Sequence, residues 1–306
     1  MKHLPKVHVL MATYNGEKNI RRQMDTILNQ TYPHLQVFVR DDGSTDRTVE
    51  IVREYERKTG KVHLLEDNKG NLKPPETFYQ MMRICPRADY YAFADQDDEW
   101  LPEKVARGVF YMLKKDQAEP IVYMSSYDYH TEDGKYIRKF PDQRQALKLN
   151  TCLFNSPASA FTVMFNEPAR EKFLPDHEGV GEMHDRRFVR SGIAMGQICY
   201  DPKVTAHHIR YETSMTEGDS TILNLVLTSV KNEIFGSDFL RQRKELGDYL
   251  RQYSGKLSEK DRKVLALFSS RNTPVKWMKK LFFPHRLRTR WVGEMSMRLA
   301  ILLGRV

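Results

Sequence analysis

The chain has 306 residues, of which 40% are hydrophobic and 29% are charged. These proportions are ordinary for a folded globular protein and exclude a disordered chain, and the length suits one large domain or two modest ones. No apolar stretch approaches the 18 residues of a membrane-spanning helix, and the first apolar run, residues 7–12, is too short for a secretory signal. The three cysteines lie far apart, so we expect a reducing cytoplasm and neither a disulfide framework nor a structural zinc site.

The net charge of +9 is concentrated at one end of the chain. Residues 271–306 contain nine Lys or Arg and one acidic residue, so the first 270 residues carry a net charge of only +1. A nucleic-acid-binding protein should spread its basic residues over the fold. We therefore expect no nucleic-acid partner.

Short strand patterns alternate with amphipathic helix patterns in the first 125 residues. Strands are predicted over residues 6–11, 36–40, 62–65, 90–94 and 121–125. Helices are predicted over residues 17–30, 46–58, 77–84 and 102–114. This alternation predicts an α/β, Rossmann-like fold in which helices cover both faces of a mostly parallel sheet.

The pattern is looser after residue 125. The sequence predicts a turn at Asp133-Gly134, a strand over residues 159–165, a helix over 184–195, an extended segment over 197–201 and an irregular loop over 207–218. From residue 221 to the end it predicts helices, with interruptions at Pro274 and Pro284.

Three polar clusters directly follow predicted strands, namely Thr13-Tyr14-Asn15, Asp41-Asp42 and Asp95-Gln96-Asp97-Asp98. Ligands of open parallel sheets bind outside the carboxyl ends of the strands, so we expect these clusters to line one site. Three carboxylates in four residues repel one another unless a cation is shared, and their hard oxygens suit Mg²⁺ or Mn²⁺ with a bound diphosphate. The alternative is an acidic loop that caps the next helix. The chain has no GxGxxG or P-loop motif that would compete with this interpretation.

Three segments together resemble the family 2 glycosyltransferases, which have the GT-A fold. They are VLMATYN (residues 9–15), RDDGSTD (40–46) and DQDDEWLPEK (95–104). Within the family, the chain is most similar to bacterial rhamnosyltransferases of cell-surface polysaccharide synthesis. The resemblance implies a GT-A domain over residues 1–220, with a nucleotide-sugar-binding half (1–125) and an acceptor-binding half (126–220). A helical, basic C-terminal extension would occupy residues 221–306.

The resemblance implies roles by position. Thr13 and Asp41 would contact the nucleotide base and the ribose. Asp95 would lie at the ribose and the metal, and Asp97 would be the principal metal ligand. Arg210 would bind the diphosphate, because a guanidinium matches phosphate oxygens bidentately. The full set implied for the nucleotide-sugar site is Thr13, Tyr14, Asn15, Asp41, Asp42, Asp95 and Arg210.

Family members also place a catalytic carboxylate at the head of a helix beyond the acceptor region, which Met183-His184-Asp185 matches. An inverting transfer needs a general base to take the proton of the acceptor hydroxyl. Asp185 would be that base, with Glu182 or Glu212 as substitutes. The alternative for Asp185 is a plain helix N-cap.

Two departures from the family pattern concern the second half. Ala160 stands where relatives often have glycine in the acceptor region. The segment His207-His208-Ile209-Arg210 holds the histidine and arginine that relatives carry in a loop, but their spacing is altered. Either histidine would be a metal or diphosphate ligand, and His208 is taken here as the metal ligand. The alternative is one packed and one exposed histidine.

These features imply an inverting transfer, dependent on Mg²⁺ or Mn²⁺, of L-rhamnose from dTDP-L-rhamnose to a glycan or lipid-linked acceptor. One alternative is a UDP-hexose-dependent transferase of the same fold. The other is a catalytically silent subunit that binds nucleotide sugars.

Residues 275–303 mix apolar and basic side chains, as helices lying in an anionic membrane interface do. We therefore expect a cytoplasmic protein bound peripherally to the inner face of the bacterial plasma membrane. In the alternative, the aromatic side chains pack against the catalytic domain. The side chains concerned are Trp277, Leu281, Phe282, Phe283, Trp291 and Leu299, with Lys276, Lys279, Lys280, Arg286, Arg288 and Arg290.

Overall fold

The structure is a computed structural model that describes residues 4–141, 147–210 and 238–306. Its strands are β1 (Val7–Thr13), β2 (Leu35–Asp41), β3 (Val62–Leu64), β4 (Tyr90–Ala94), β5 (Asp98–Trp100), β6 (Ile121–Thr131), β7 (Tyr136–Phe140), β8 (Val163–Asn166) and β9 (Gln197–Arg210). Its α-helices are α1 (Ile20–Leu28), α2 (Thr48–Thr59), α3 (Glu76–Ile84), α4 (Lys104–Met112), α5 (Glu167–Phe173), α6 (His184–Met195), α7 (Asp238–Tyr253), α8 (Glu259–Ser269), α9 (Pro274–Leu281) and α10 (Trp291–Leu302).

The strands of the described residues form one sheet in the order β3-β2-β1-β4-β8-β6-β9-β5, and β7 pairs with β6 beside this path. Strands β3, β2, β1 and β4 are parallel. Strand β8 is antiparallel to both β4 and β6, β6 is parallel to β9, and β5 is antiparallel to β9. The carboxyl ends of β1, β2 and β4 therefore open on one edge of the sheet.

Both faces of the central strands are buried under helices. Helices α1, α2 and α4 share one core with the sheet, and α3, α5 and α6 share the other. In β4, Ala92 belongs to the first core and Phe93 to the second, so successive side chains serve opposite layers. A strand buried on both faces reads as a continuous apolar run, which is why β4 was predicted with its observed bounds. The predicted α/β fold with helices on both faces is confirmed.

The second half differs from the prediction in several places. Strands β5 to β9 add antiparallel pairings, so the complete sheet is mixed. The loop predicted over 207–218 is wrong for 207–210, because β9 continues to Arg210 while paired with β6 and β5; residues 211–218 lie outside the described residues. The strand predicted over 159–165 begins instead as a 3-10 helix, Ala160–Thr162. The polar residues 207–210 are extended because they pair with β6 and β5.

The C-terminal helices have a core of their own. Buried side chains of α7, α8 and α10 pack together with Leu153 and Phe154, which precede β8 in the chain. The predicted helical extension is confirmed over residues 238–306, whereas its expected start at residue 221 lies outside the described residues, so the domain boundaries stay a prediction. None of the described helices combines the length and the apolarity that crossing a bilayer requires.

Some aromatic and basic side chains of the extension are buried in the protein, and others are exposed to solvent. Trp277 donates its indole N–H to the carbonyl of Ile301 (2.7 Å), and Lys280 is fully buried. Phe282 and Trp291, by contrast, are 71% and 68% exposed. The alternative, in which these side chains pack against the protein, therefore holds for Trp277 and Lys280 but not for Phe282 and Trp291.

We expect Gly108→Ala to destabilise the contact between α4 and β8. A Cβ atom at Gly108 would lie 2.2 Å from Sδ of the buried Met164. The matched control is Gly247→Ala in α7, where the new Cβ would lie an ordinary 3.9 Å from Cβ of Ser269. Both variants gain about 1 kcal/mol in helix propensity, but overpacking should leave Gly108→Ala about 1–3 kcal/mol less stable than the control. Urea unfolding measures both; equal stabilities would contradict this packing.

Candidate functional site

Side-chain hydrogen bonds join the carboxyl ends of β1 and β2. Thr13 donates its hydroxyl to Oδ1 of Asp41 (2.9 Å), and Ser44 donates its hydroxyl to the same oxygen (2.6 Å). Oδ2 of Asp41 accepts the backbone N–H groups of Gly43 (3.0 Å) and Ser44 (2.7 Å). Asp41 therefore holds the turn after β2 in one shape, as an aspartate at such a turn commonly does.

The loop after β1 is tied to the other two strand ends. Asn15 adopts a left-handed backbone (φ 47°), donates its N–H to the Ser44 hydroxyl (2.8 Å) and accepts the N–H of Thr45 (2.8 Å). The half-exposed Tyr14 exchanges two backbone hydrogen bonds with the Gln96 amide (2.9 and 3.0 Å). The loops after β1, β2 and β4 are therefore one connected unit, as the clustering of polar residues at strand ends predicted.

Asp42 lies beneath this unit and not on its surface. Its Oδ1 accepts from Arg40 (2.5 Å) and from the N–H of Leu72 (2.8 Å), while its Oδ2 accepts from the N–H of Lys73 (2.6 Å). Arg40 is itself buried and also pairs with Asp67 (3.0 Å). The Asp42 carboxylate is thus occupied in fixing the segment after β3. This arrangement favours a supporting role over the nucleotide contact that the resemblance implied.

Four carboxyl groups converge near the end of β4. Asp95 and Asp97 lie in the loop after β4, Asp98 begins β5, and Asp185 lies in the first turn of α6. Burial and then the charges of Asp98, Asp97 and Asp185 raise the pKa of Asp95 well above its usual value. Burial is also the main cause of the raised pKa of Asp97 and of Asp185. These carboxyl groups resist ionising together, which a shared cation would relieve.

His208 of β9 faces Asp98, its register partner on β5. Its Nδ1 lies 2.6 Å from Oδ1 of Asp98. Burial raises the pKa of Asp98 to about 6, although the hydrogen bond with His208 opposes the rise. Burial would lower the pKa of His208, but the hydrogen bond and the charge of Asp98 raise it above its usual value. Because Nδ1 binds Asp98, Nε2 is the His208 ring atom left for a ligand. His207, the adjacent residue, points to the opposite face of the strand.

Two arginines flank this acidic cluster. The guanidinium carbons of Arg210 on β9 and Arg138 on β7 each lie 4.7 Å from the centre of the Tyr129 ring. The same ring lies 5.4 Å from the ring of His208. The sequence pointed to Arg210 but not to Arg138 or Tyr129, because neither belongs to a motif and only the pairing of β6 with β7 and β9 brings them here.

Asp185 does not cap its helix. The N-cap of α6 is Met183, which makes no side-chain cap hydrogen bond, and Asp185 lies inside the first turn. The N-cap alternative for Asp185 is therefore wrong. Among the described residues, a buried oxygen of this carboxylate, Oδ1, has no hydrogen-bond partner, and neither does Oδ2 of Asp98. Polar atoms buried without a partner are uncommon in folded proteins, and here both belong to the acidic cluster.

Glu182, the substitute base, belongs instead to a buried ion-pair group. It is fully buried and pairs with Arg187 (3.1 Å) and with Arg190. Arg187 also donates to the carbonyl of Phe173 (2.8 Å), so these charges anchor α6. Glu182 is therefore unsuited to take a proton from an acceptor. Glu212 lies outside the described residues.

The acidic cluster has the chemistry of a Mg²⁺ or Mn²⁺ site. Carboxylate oxygens with raised pKa values and unpartnered buried atoms are suitable hard ligands. Within the described residues, Asp95, Asp97 and His208 do not hold three ligand atoms within 4.8 Å of one another. Since Mg²⁺ usually takes one or two carboxylates, substrate phosphates would complete its coordination.

Comparisons with known proteins agree with the positions of the motifs. The model of the family described as "Glycosyl transferase family 2" matches residues 8–168. TuaG of Bacillus subtilis (strain 168), named as a teichuronic acid biosynthesis glycosyltransferase, is 28% identical over 166 residues, which cover 53% of this chain and 62% of that protein. The dTDP-rhamnosyl transferase RfbG of Shigella flexneri is 31% identical over 102 residues, which cover 32% of this chain and 35% of that protein. The chain thus spans less than two thirds of the length of these relatives.

A solved structure extends the likeness over almost the whole chain. S. aureus TarS 1-349 in complex with UDP-GlcNAc matches with a TM-score of 0.54 and 16% identity, covering 97% of this chain and 90% of that one. At this identity the likeness shows the fold alone. Together with the family match, it confirms the predicted GT-A fold class.

Mg²⁺ should stabilise the protein at about pH 8 and have little effect at about pH 5. Because the pKa of Asp98 is raised to about 6, its proton contributes stability that is lost as the pH rises toward that value. Above it, the ionised cluster can hold Mg²⁺ in place of protons. At about ten times the Kd, the gain should be about 1.4 kcal/mol, or about 2–5 °C in Tm by scanning fluorimetry.

Two variants locate this effect. Asp97→Asn should abolish the Mg²⁺-dependent rise in Tm, because it removes a charged ligand of the cluster. Asp176→Asn changes an exposed aspartate that pairs with His177 and should preserve the rise. A rise of equal size at both pH values, or one that survives in Asp97→Asn, would contradict a cation site in the cluster.

Proposed function

The chain belongs to glycosyl transferase family 2, and from that membership we propose that it transfers a sugar from a nucleoside diphosphate sugar to an acceptor hydroxyl with inversion. The acceptor is a glycan or a lipid-linked glycan of bacterial cell-surface polysaccharide synthesis. The observation that carries the proposal is the convergence of Asp95, Asp97 and Asp98 with Asp185, a carboxylate from the other half of the domain. The three carboxylates near the end of β4 suit the binding of a cation and its diphosphate, and the Asp185 carboxylate suits a general base.

The connected loops after β1, β2 and β4 would bind the nucleoside. The hydrogen bond between Thr13 and Asp41 would fix the base of the nucleoside site. The half-exposed ring of Tyr14 would be available to pack against a base or a sugar. Asn15 fixes the left-handed turn that joins these loops. These features support the nucleotide roles that the family resemblance implies for Thr13, Tyr14, Asn15 and Asp41.

Asp97, with Asp95 and Nε2 of His208, would hold Mg²⁺ or Mn²⁺. When bound, this ion would neutralise the charge that develops on the diphosphate as a Lewis acid. Arg210 and Arg138 would contribute further positive charge at the diphosphate, since both lie over Tyr129 beside His208. The Asp98 carboxylate orients the His208 ring from behind.

Asp185 would be the general base. The acceptor oxygen bonds to the anomeric carbon as the bond from that carbon to the diphosphate oxygen breaks, and the electron pair leaves with the diphosphate. The hydroxyl proton passes to Asp185. Burial raises the pKa of this carboxyl, which makes it a better proton acceptor once ionised. Attack from the side opposite the leaving group gives inversion.

We propose dTDP-L-rhamnose as the donor, with a UDP-hexose as the alternative. The name of RfbG, a dTDP-rhamnosyl transferase, supports the first, and the UDP-GlcNAc bound to TarS keeps the second in view. A panel of nucleotide sugars incubated with the chain and a glycan acceptor, with and without EDTA, tests both. Release of dTDP only with dTDP-L-rhamnose and free metal is expected. Release from none of the donors would favour a catalytically silent binding subunit.

Asp185→Asn and Asp97→Asn should fail for different reasons. Asp185→Asn keeps the shape of the side chain but cannot accept the proton, so donor binding should persist while turnover falls about 10²–10⁴-fold. Asp97→Asn should remove the metal dependence of donor binding together with turnover. Calorimetry of donor binding and product assays measure both effects, with Asp176→Asn as the matched control. Near-parental turnover in Asp185→Asn, or loss of its donor binding, would reject the assigned role.

We also propose that the C-terminal extension attaches the chain peripherally to the cytoplasmic face of an anionic membrane. Phe282 and Trp291 are mostly exposed, and Lys276, Lys279 and Arg286 are exposed near them in sequence. Apolar side chains beside basic ones suit the interface of a negatively charged bilayer. Such attachment would hold the active site near a lipid-linked acceptor.

Removing Lys276 and Lys279 should weaken this attachment. A basic residue near an anionic surface contributes about 1 kcal/mol, so Lys276→Gln/Lys279→Gln should bind phosphatidylglycerol vesicles about 30-fold more weakly in sedimentation. Lys58→Gln/Lys61→Gln removes two exposed charges elsewhere and should bind as the parent does. Equal losses in both pairs, or equal binding to neutral phosphatidylcholine vesicles, would contradict the proposal.

A further inference from the structure

A second cluster of metal-ligand types lies apart from the acidic cluster. Within the described residues, Asp128, His130 and His207 are the three whose ligand atoms all lie within 4.8 Å of one another, and each is half-buried. Asp128 and His130 are two residues apart on β6, and His207 is the register partner of Asp128 on β9. Side chains at these positions share one face of the sheet. His208 and Asp98 occupy the opposite face.

Each of the two histidines has one ring nitrogen that makes no hydrogen bond to the described residues. Nδ1 of His130 lies 3.1 Å from the carbonyl oxygen of Gly134. A carbonyl can only accept, so Nδ1 carries the proton and Nε2 has a free lone pair. This Nε2 and Nδ1 of His207 are buried and have no hydrogen-bond partner within the part of the chain that the structure describes. The two rings lie with their centres 4.2 Å apart. Two unpartnered ring nitrogens beside a carboxylate are the donor set of a metal site.

From this arrangement we propose that Asp128, His130 and His207 form a transition-metal site, of the kind that takes Zn²⁺, on the face of the sheet behind the acidic cluster. Imidazole nitrogens favour Zn²⁺ over Mg²⁺, and two histidines with one carboxylate leave a fourth position to water. In a tetrahedral zinc site the ligand atoms are about 3.4 Å apart, so small side-chain rotations close this one. The contact from Gly134 to His130 is the outer hydrogen bond that orients such ligands.

The bound ion would join β6 to β9 at the point where β9 presents its functional residues. His207 and His208 are adjacent, and their side chains alternate across the sheet. A metal on His207 would therefore fix the strand that carries His208 towards Asp98 and Arg210 towards Tyr129. The widely spaced cysteines predicted no structural zinc site; these ligands come from two strands that are distant in sequence.

Zinc binding by the full chain tests the proposal without a donor or an acceptor, so its outcome is independent of the transferase activity. The chain is stripped with EDTA, dialysed and titrated with ZnCl₂ by calorimetry in millimolar MgCl₂, which should occupy the acidic cluster. We expect one equivalent of Zn²⁺ to bind. His130→Gln and His207→Gln should each weaken binding by at least about tenfold, since even the loss of an outer partner has about that effect. His177→Gln, an exposed histidine elsewhere, should bind Zn²⁺ as the parent does.

Further measurements separate this site from the acidic cluster. Asp128→Asn keeps the shape of the side chain and should also weaken Zn²⁺ binding, which provides a test if a histidine variant does not fold. Asp97→Asn should leave it unchanged. Anomalous scattering at the zinc edge should place the ion between β6 and β9. Absence of binding in the parent, parental affinity in the histidine variants, or loss of binding only in Asp97→Asn would overturn the proposal.

Discussion

Repulsion among carboxylates at the end of β4 is the constraint on which the rest of the site depends. Asp98, the fully buried member, is compensated by His208 through a 2.6 Å contact. The pKa of the buried Lys104, which lies near Asp98, is lowered to about 7 by burial, so this amine neutralises the cluster only in part. Burial raises the pKa of Asp95 and of Asp97, so these two carboxyl groups resist ionising together with Asp98. A divalent cation is the kind of ligand that would relieve this repulsion.

Two basic side chains that lie near these carboxyl groups come from the second half of the chain. Strand β9 pairs with both β6 and β5, which brings His208 beside Asp98 and Arg210 beside Tyr129. Helix α6 brings Asp185 to the cluster, and the buried ion pairs of Glu182 hold that helix in place. The first half therefore supplies Asp95, Asp97 and Asp98, and the second half supplies His208, Arg210 and Asp185. Neither half alone forms the complete site.

Alternation along β9 gives neighbouring residues separate tasks. His208 faces Asp98, whereas His207 lies with Asp128 and His130 on the other side of the sheet. A similar division holds in the C-terminal extension, where Lys280 is fully buried and Phe282 is 71% exposed. In both places the residue type alone is ambiguous. The side of the strand or helix on which it lies decides its environment.

The sequence by itself determined the fold class and the positions of the polar residues at the strand ends. Strands buried on both faces read as apolar runs, and polar residues must follow where such strands leave the core, so Thr13, Asp41 and Asp95 could be located without coordinates. Only the tertiary structure decided that Asp42 is occupied beneath the site and that Arg138 and His207 belong to clusters. Those contacts join strands and loops far apart in the chain. A pattern of nearby residues indicates the local preference for a strand or a helix. It does not indicate which distant side chains the completed sheet brings into contact with one another.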